Sequence, residues 1–249
     1  MKKIKILIVI AASIILISCS GSKDLSNLSP EERFALAKAK YDKKDFLDAI
    51  SEFENIMIQY SGTGIMDDAQ YYLALSYFGK QEFIKAAFEF SKLIKDYPTS
   101  EFVKDAQFML AESYYELSPH YSLDQRFTEK AIEEYQAFID FFPEDERVSL
   151  AERKIKELND KLAQKIFETA EQYNRMGYYR SAMIYYDLLL EKYPDSKFAS
   201  LSSYNKIKIL VSRSRNSEAM EEAKKYLQKY PSGEYVKEIQ KILIELQKS

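Results

Sequence analysis

The feature that most constrains the fold of this chain is an aromatic residue that recurs, usually followed by proline, about every 37 residues. The five aromatic landmarks are Tyr60, Tyr97, Phe142, Tyr193 and Tyr230, and successive landmarks are 37, 45, 51 and 37 residues apart. A period of this length is typical of stacked repeats, in which each unit buries its apolar face only against its neighbours. The sequence therefore predicts an array of about five similar units.

Small residues recur at fixed distances before each landmark. An alanine stands eleven residues before every landmark: Ala49, Ala86, Ala131, Ala182 and Ala219. A second small residue precedes that alanine by twelve residues, or by twenty in the third unit, which therefore carries an insertion: Ala37, Ala74, Ala111 and Ala170. Small residues at this spacing let two helices approach closely, and the proline ends the second helix because it lacks an N–H. With only six glycines and no long alternating strand pattern, the chain is predicted to be all-helical.

This pattern of small, aromatic and proline positions resembles the tetratricopeptide repeat. It departs from that repeat in its longer period, in Ser61 where the first unit lacks the proline, and in Ile207 where the fifth unit lacks the first small residue. The resemblance implies an all-α superhelix of five helix pairs and a C-terminal capping helix. We predict pairs over 31–60, 67–97, 103–142, 162–193 and 199–230, a helix over 145–161 continuous with the next one, and a cap over 234–247. The long helix is expected to join two lobes, 31–143 and 144–249.

The N-terminus has the pattern of a secretory signal. Three lysines in the first five residues precede an apolar stretch of about 13 residues, which is too short to span a bilayer. The stretch ends at Leu16-Ile17-Ser18-Cys19, which resembles the bacterial lipobox, and Cys19 is the only cysteine in the chain. We predict a signal peptide over 1–18, acylation of Cys19 with fatty acids such as palmitate, and a lipidated linker over 19–30. The alternative is an ordinary signal peptide that happens to contain a cysteine.

Charge and motifs argue against nucleic acid and against catalysis. Loss of residues 1–18, with their three lysines, changes the formal charge from −3 to −6, whereas nucleic-acid binding calls for a basic surface. The sequence has no phosphate-binding loop, zinc-protease motif or serine-hydrolase motif. The single histidine, His120, lies in the insertion and is interpreted as a solvated loop residue, and the acids around Glu144 and Glu221 as solvated faces. No enzyme activity, cofactor or metal is expected.

The first helix of each unit should line a concave groove. Residues three before and four after its small residue point inward in a stack of this kind, and in the first three units all six are aromatic: Phe34, Tyr41, Tyr71, Phe78, Phe108 and Tyr115. Rings on a concave surface suit an extended or helical peptide rich in aromatic residues. The alternative is that some or all of these rings pack against the neighbouring helix.

The third and fourth units resemble one particular family of proteins. Ala106–Tyr115, the insertion with Asp124-Gln125, and the run from Gly177-Tyr178-Tyr179 to Tyr193-Pro194-Asp195-Ser196 resemble the BamD family of outer-membrane assembly lipoproteins, also grouped with ComL-type lipoproteins. Together with the lipobox, the resemblance covers nearly all of residues 19–235. Gly62-Thr63-Gly64 is a mild departure from the family pattern.

The resemblance implies a lipid-anchored subunit of the β-barrel assembly machine on the periplasmic face of the outer membrane. Its implied partners are a BamA-type barrel protein and unfolded outer-membrane proteins. Substrate binding is implied for the groove of repeats one to three. Binding to the barrel protein is implied for repeats four and five, around Arg175, Tyr178, Arg180, Arg213 and Arg215. The alternative is that these arginines are ordinary surface charge. The alternatives are an adaptor in cell-envelope or peptidoglycan maintenance and, with only acidic clusters in support, an enzyme acting on cell-wall polymer.

Overall fold

A computed structural model describes residues 27–248, and this part of the chain consists of eleven α-helices without strands. The signal segment and Cys19 lie outside the described residues. In chain order the helices are α1 Pro30–Asp42, α2 Phe46–Gln59, α3 Met66–Gly79, α4 Phe83–Asp96, α5 Val103–Leu117, α6 Arg126–Phe141, α7 Val148–Arg175, α8 Tyr179–Lys192, α9 Ala199–Ser212, α10 Asn216–Lys229 and α11 Val236–Lys248.

The helices pack as five hairpins and a cap, which confirms the predicted superhelix. Each hairpin pairs an odd-numbered helix, here called helix A, with the following even-numbered helix B, and α11 packs on α10. Helix α7 runs without a break for 28 residues. It therefore contains both the predicted connecting helix and helix A of repeat four.

The alanines identified from the spacing lie in the core. The first small residues of repeats one to four and all five alanines of the helices B are completely buried, and so is Ile207, which takes the small position in repeat five. Four residues after the helix-B alanines, the ring positions are also completely buried: Phe53, Phe90, Tyr135 and Tyr186. A buried ring beside two closely approaching helices fills the gap to the next repeat, which explains why the spacing is repeated.

The ends of the hairpins follow local chemistry. Helix α1 begins with a capping box, in which the Ser29 side chain accepts a hydrogen bond from Glu32 N and the Glu32 carboxylate accepts one from Ser29 N. The turns between helix A and helix B in repeats one, two, four and five each contain one residue with positive φ, between 55° and 78°: Lys44, Gln81, Gly177 and Ser214. Only in repeat four is this residue a glycine.

A polar contact is repeated in the first three hairpins. Gln107 Nε2 of α5 donates to Glu134 Oε2 of α6 at 2.8 Å, and Gln70 makes the same contact with Glu89. In repeat one, Arg33 takes the glutamine position and forms a buried ion pair with Glu52 at 2.6 Å. Repeat four has Ile166 and Tyr185 at these positions. The two ends of the stack are therefore stabilised by different chemistry.

Helix α7 lies between two parts of the core. Leu158 belongs to a cluster with α5 and α6, whereas Ala163 and Phe167 belong to a cluster with α8 and α9. The insertion of repeat three braces this helix: Lys161 Nζ donates to Ser118 Oγ at 2.8 Å, and Lys165 Nζ donates to the Leu123 carbonyl at 2.6 Å. The central helix is thus held by apolar packing at both ends and by lysine contacts in its middle.

Candidate functional site

The rings predicted for repeat one lie on α1 and pack against repeat two. Phe34 lies 5.6 Å and Tyr41 5.4 Å from Tyr72, centroid to centroid, and both contacts are edge-to-face. Tyr72 also contacts Phe53 and Phe102. It is the centre of an aromatic network that the spacing argument missed, because Tyr72 stands beside the repeated positions rather than on one of them. Phe34 and Tyr41 remain half-buried, so part of each side chain is still accessible.

The rings of repeat two are also half-buried. Tyr71 stacks on Phe102 with a centroid distance of 4.5 Å and an angle of 14° between the ring planes. Burial raises the pKa of the Tyr71 hydroxyl to about 12. Phe78 packs edge-to-face on Phe83 at 5.2 Å. Both rings are held in place by contacts within the chain, and both retain some accessible surface.

Phe108 of repeat three lies in the core, where it cannot face a ligand. It is 7% exposed and packs between Tyr135 and Phe138 at 6.0 and 5.1 Å. The guanidinium of Arg147 lies 4.9 Å from the Phe108 ring and is paired with Asp145 and Asp105. A buried ring in contact with two aromatic rings and a cation contributes packing, so the expectation of a groove role for Phe108 is corrected here.

Tyr115 sits at the boundary between repeat three and α7. Its hydroxyl donates to Glu157 Oε1 at 2.8 Å, and the ammonium of Lys154 lies 3.4 Å from the ring centroid. Burial, with the hydrogen bond to Glu157, raises the pKa of Tyr115 to about 12. The ring is half-buried and bordered by charges of both signs.

Two glutamates of the helices A accept hydrogen bonds from buried tyrosines of the helices B. Tyr135 donates to Glu112 in repeat three, and Tyr186 donates to Glu171 in repeat four. In each tyrosine, burial and the hydrogen bond to the glutamate raise the hydroxyl pKa. Glu171 also accepts from Asn205 Nδ2 at 2.8 Å, whereas Glu112 has Lys154 Nζ at 3.6 Å. These carboxylates are therefore engaged in contacts within the fold.

The five residues predicted for partner binding come together at one edge of repeats four and five, where helix A turns into helix B. All five are exposed or half-exposed: Arg175, Tyr178, Arg180, Arg213 and Arg215. The guanidinium of Arg213 lies 5.5 Å from the ring of Tyr179, and Arg215 Nη1 lies 3.8 Å from Met183 Sδ. The turn of repeat five is therefore in contact with helix α8 of repeat four, so the residues form one continuous surface.

Two apolar side chains that the sequence analysis did not identify lie near the predicted residues. Met176 is 56% exposed and Ile184 is 59% exposed, and the ring of the predicted Tyr178 is 56% exposed. Arginine and tyrosine beside exposed apolar groups is the composition found at the centres of protein interfaces. Met176 and Ile184 lie within nine positions of Arg175, but the sequence alone does not show that their side chains are exposed.

The insertion of repeat three borders a cleft on α7. The cleft is about 460 Å³ in volume and is lined by Ser118–Tyr121 together with residues of α7 such as Glu157 and Lys161. His120 is exposed, and its Nδ1 lies 2.9 Å from Ser122 Oγ. Charges of both signs line the cleft, so its electrostatics favour no particular ligand.

Within residues 27–248 no group of three or more metal-ligating side chains is close enough to hold a metal ion. In the same part of the chain no helix combines the length and the hydropathy that crossing a membrane requires.

Stacked helical hairpins that cross at buried alanines, with a capping helix at the C-terminal end, define this chain as a tetratricopeptide-repeat protein. The YfiO family of outer membrane lipoproteins matches residues 26–209, which is most of the chain. The chain belongs to this family.

Comparison with other proteins also finds solved structures of low sequence identity. No curated protein matches the chain. Similar solved structures include the TPR2AB domain of yeast Sti1 in an HSP90 complex, with 12% identity over 88% of this chain and 98% of that one and a TM-score of 0.43. The tetratricopeptide-repeat domain of P58(IPK) is 16% identical over 88% and 65%, with a TM-score of 0.45. The protein TTC0263 of Thermus thermophilus is 14% identical over 89% and 100%, with a TM-score of 0.38.

Proposed function

We propose that this protein is a lipid-anchored, non-catalytic subunit of the machinery that inserts β-barrel proteins into the outer membrane. In that role it binds a BamA-type barrel protein and unfolded outer-membrane proteins. The observation that carries the proposal is the match to a family of outer membrane lipoproteins across most of a stack of helical hairpins. Stacked hairpins present long surfaces suited to gripping other polypeptides.

The proposed anchor is Cys19, acylated after removal of residues 1–18. Each methylene of an acyl chain that enters the bilayer contributes about 0.8 kcal/mol, so several chains on one residue give durable attachment. The anchor places the stack on the periplasmic face of the outer membrane.

The proposed substrate surface consists of five half-buried rings on the helices A of repeats one to three: Phe34, Tyr41, Tyr71, Phe78 and Tyr115. Because their rings are already fixed by contacts with neighbouring aromatics, they lose little side-chain entropy when a peptide binds. Phe108 supports this surface from below. We infer that segments rich in aromatic residues bind here.

The proposed surface for the barrel protein is the exposed edge of repeats four and five, from Arg175 to Arg215. Arg175, Arg180 and Arg213 favour a partner surface with carboxylates, whereas Arg215 is already paired with Glu218, and Tyr178 supplies a large exposed ring.

Affinity purification of the tethered protein from membranes tests this assignment. A BamA-type barrel protein should co-purify with the unaltered chain and with Lys44→Glu, a charge reversal at the corresponding turn of repeat one. The double variant Tyr178→Ser/Arg180→Glu should lose it, because the change removes an exposed ring and reverses the charge of an exposed side chain on the proposed surface. If no barrel protein co-purifies with the unaltered chain, the proposed function fails.

Depletion separates this function from a role in envelope maintenance. Loss of an assembly subunit should lower the levels of many outer-membrane barrel proteins together. Unchanged levels would favour the adaptor in cell-envelope or peptidoglycan maintenance.

Peptide binding tests the groove separately. Phe78→Ala should weaken binding of a labelled aromatic-rich peptide, measured by fluorescence anisotropy. The matched control is Phe88→Ala on α4, whose ring is 64% exposed and lies outside the proposed groove. Circular dichroism should show the same helicity for both variants, and equal peptide affinity in the two would remove Phe78 from the binding surface.

A further inference from the structure

The first described residues are held at the C-terminal end of helix α2. The Tyr60 hydroxyl donates to the Leu28 carbonyl at 2.9 Å, and Ser29 is the N-cap of helix α1. Cys19 lies nine residues before Leu28, and a fully extended chain spans at most about 3.6 Å per residue, or about 32 Å for this segment. An acylated Cys19 therefore keeps Leu28, at this edge of repeat one, within about 32 Å of the bilayer.

This edge differs from the corresponding edges of the other repeats. Ile58, two residues before Tyr60, is 77% exposed, which is the largest value among the exposed large hydrophobic side chains of the described residues. The turn that follows, 61–64, is exposed throughout and contains no charged residue. Every other turn between repeats carries at least one acid: Glu101, Glu144, Asp145, Glu146, Asp195 and Glu234.

We propose that the edge of repeat one formed by Leu28, Ile58 and residues 61–64 contacts the lipid bilayer directly, with the Ile58 side chain in the interfacial region. This inference rests on the proposed lipid anchor. An exposed isoleucine gains free energy when it leaves water for the boundary between headgroups and acyl chains. An uncharged turn can approach that boundary without the cost of desolvating an ion.

The charges around the edge indicate the kind of lipid. Helix α1 begins two residues after Leu28 and helix α3 begins two residues after Gly64, and each carries two acids in its first turn: Glu31 and Glu32 in α1, Asp67 and Asp68 in α3. An anionic surface would repel this edge, so the contact is with zwitterionic phospholipid. The tether and the contact together give the stack two points of attachment, which fix the side that faces the membrane.

The absence of tryptophan from the chain allows a direct test. The full-length acylated chain carrying Ile58→Trp is reconstituted on vesicles of zwitterionic phospholipid with brominated acyl chains. The matched control is Phe141→Trp, which replaces a side chain that is 73% exposed on the same edge, two repeats away, and followed by the acids Glu144 and Glu146. We expect the tryptophan emission of the Ile58→Trp variant to shift to shorter wavelength and to be quenched by bromine, while the control emission changes little.

The outcomes separate the contact from the anchor. Failure of the anchor appears as the absence of acyl mass on Cys19 and of flotation with vesicles. Failure of the contact alone appears as normal flotation with Ile58→Trp quenched no more than Phe141→Trp. Either result overturns the inference. Adding anionic phospholipid should reduce the quenching of Ile58→Trp, and an increase would contradict the assignment of the lipid class.

Discussion

Replacing Tyr135 by phenylalanine should destabilise repeat three by removing one hydroxyl. Tyr135 is completely buried, and its hydroxyl donates to Glu112, whose side chain is 17% exposed. Without that donor, the Glu112 carboxylate is largely shielded from water and keeps only Lys154, at 3.6 Å. A hydrogen bond to a charged group contributes about 1.5–3 kcal/mol, and we expect a loss of this size in the free energy of unfolding.

The chain contains its own control for this effect. Repeat two has Leu75 and Phe90 at the two corresponding positions, and Phe90 is completely buried there. The double variant Glu112→Leu/Tyr135→Phe recreates that pair, so it should lose less stability than Tyr135→Phe alone. In repeat four, Tyr186→Phe should cost less than Tyr135→Phe, because Glu171 keeps the hydrogen bond from Asn205.

Urea unfolding followed by circular dichroism measures these differences. With an m-value of about 2 kcal/mol/M, a loss of about 2 kcal/mol lowers the midpoint by about 1 M. The reasoning is refuted if the effects of Tyr135→Phe and Glu112→Leu simply add in the double variant, since additive losses mean that the two groups do not interact.

Three further predictions concern stability. Gln81 has positive φ, so Gln81→Gly should stabilise the protein by about 0.5–1 kcal/mol and raise the urea midpoint. Gly177→Ala at the matching turn should lower the midpoint, and equal midpoints would show that these turns carry no strain. Ala182→Leu should cost about 1–3 kcal/mol by overpacking the α7–α8 crossing, and an unchanged thermal midpoint would contradict the close approach. Stability should fall as pH rises from about 10 to about 12, because tyrosines of the unfolded chain release protons in this range while burial raises the pKa of Tyr71 and Tyr115 to about 12. Urea midpoints across this range test the direction of the change, and absorbance near 295 nm follows the ionisation of tyrosine.

The fold could be predicted from the sequence because it depends on volume at repeated positions. A position such as Ala86 tolerates no larger side chain, and that restriction is visible in the spacing alone. The exposure of the rings could not be predicted in the same way. It depends on partners from neighbouring repeats, such as Tyr72 and Phe102, and on Arg147, which covers Phe108 from the start of the next helix.

For the proposed partner-binding residues, the location could be predicted from the sequence but the neighbouring apolar residues could not. Their common location follows from the repeat spacing, which places the turns after α7 and α9 at one edge. The apolar residues beside them do not follow from it. Ile184 occupies a position that is Glu133 in repeat three and Glu221 in repeat five, so only the structure identifies it as part of the same surface.

The uninterrupted helix α7 gives the molecule a mechanical property. Its 28 residues form a rod about 42 Å long, and a tilt of about 5° about its middle displaces each end by about 2 Å, in opposite directions. Because Lys161 and Lys165 pin the middle of the rod to the insertion loop, that loop is the fulcrum of any such movement. A force applied to the last two hairpins would therefore be transmitted to the first three by rotation of α7 about this loop.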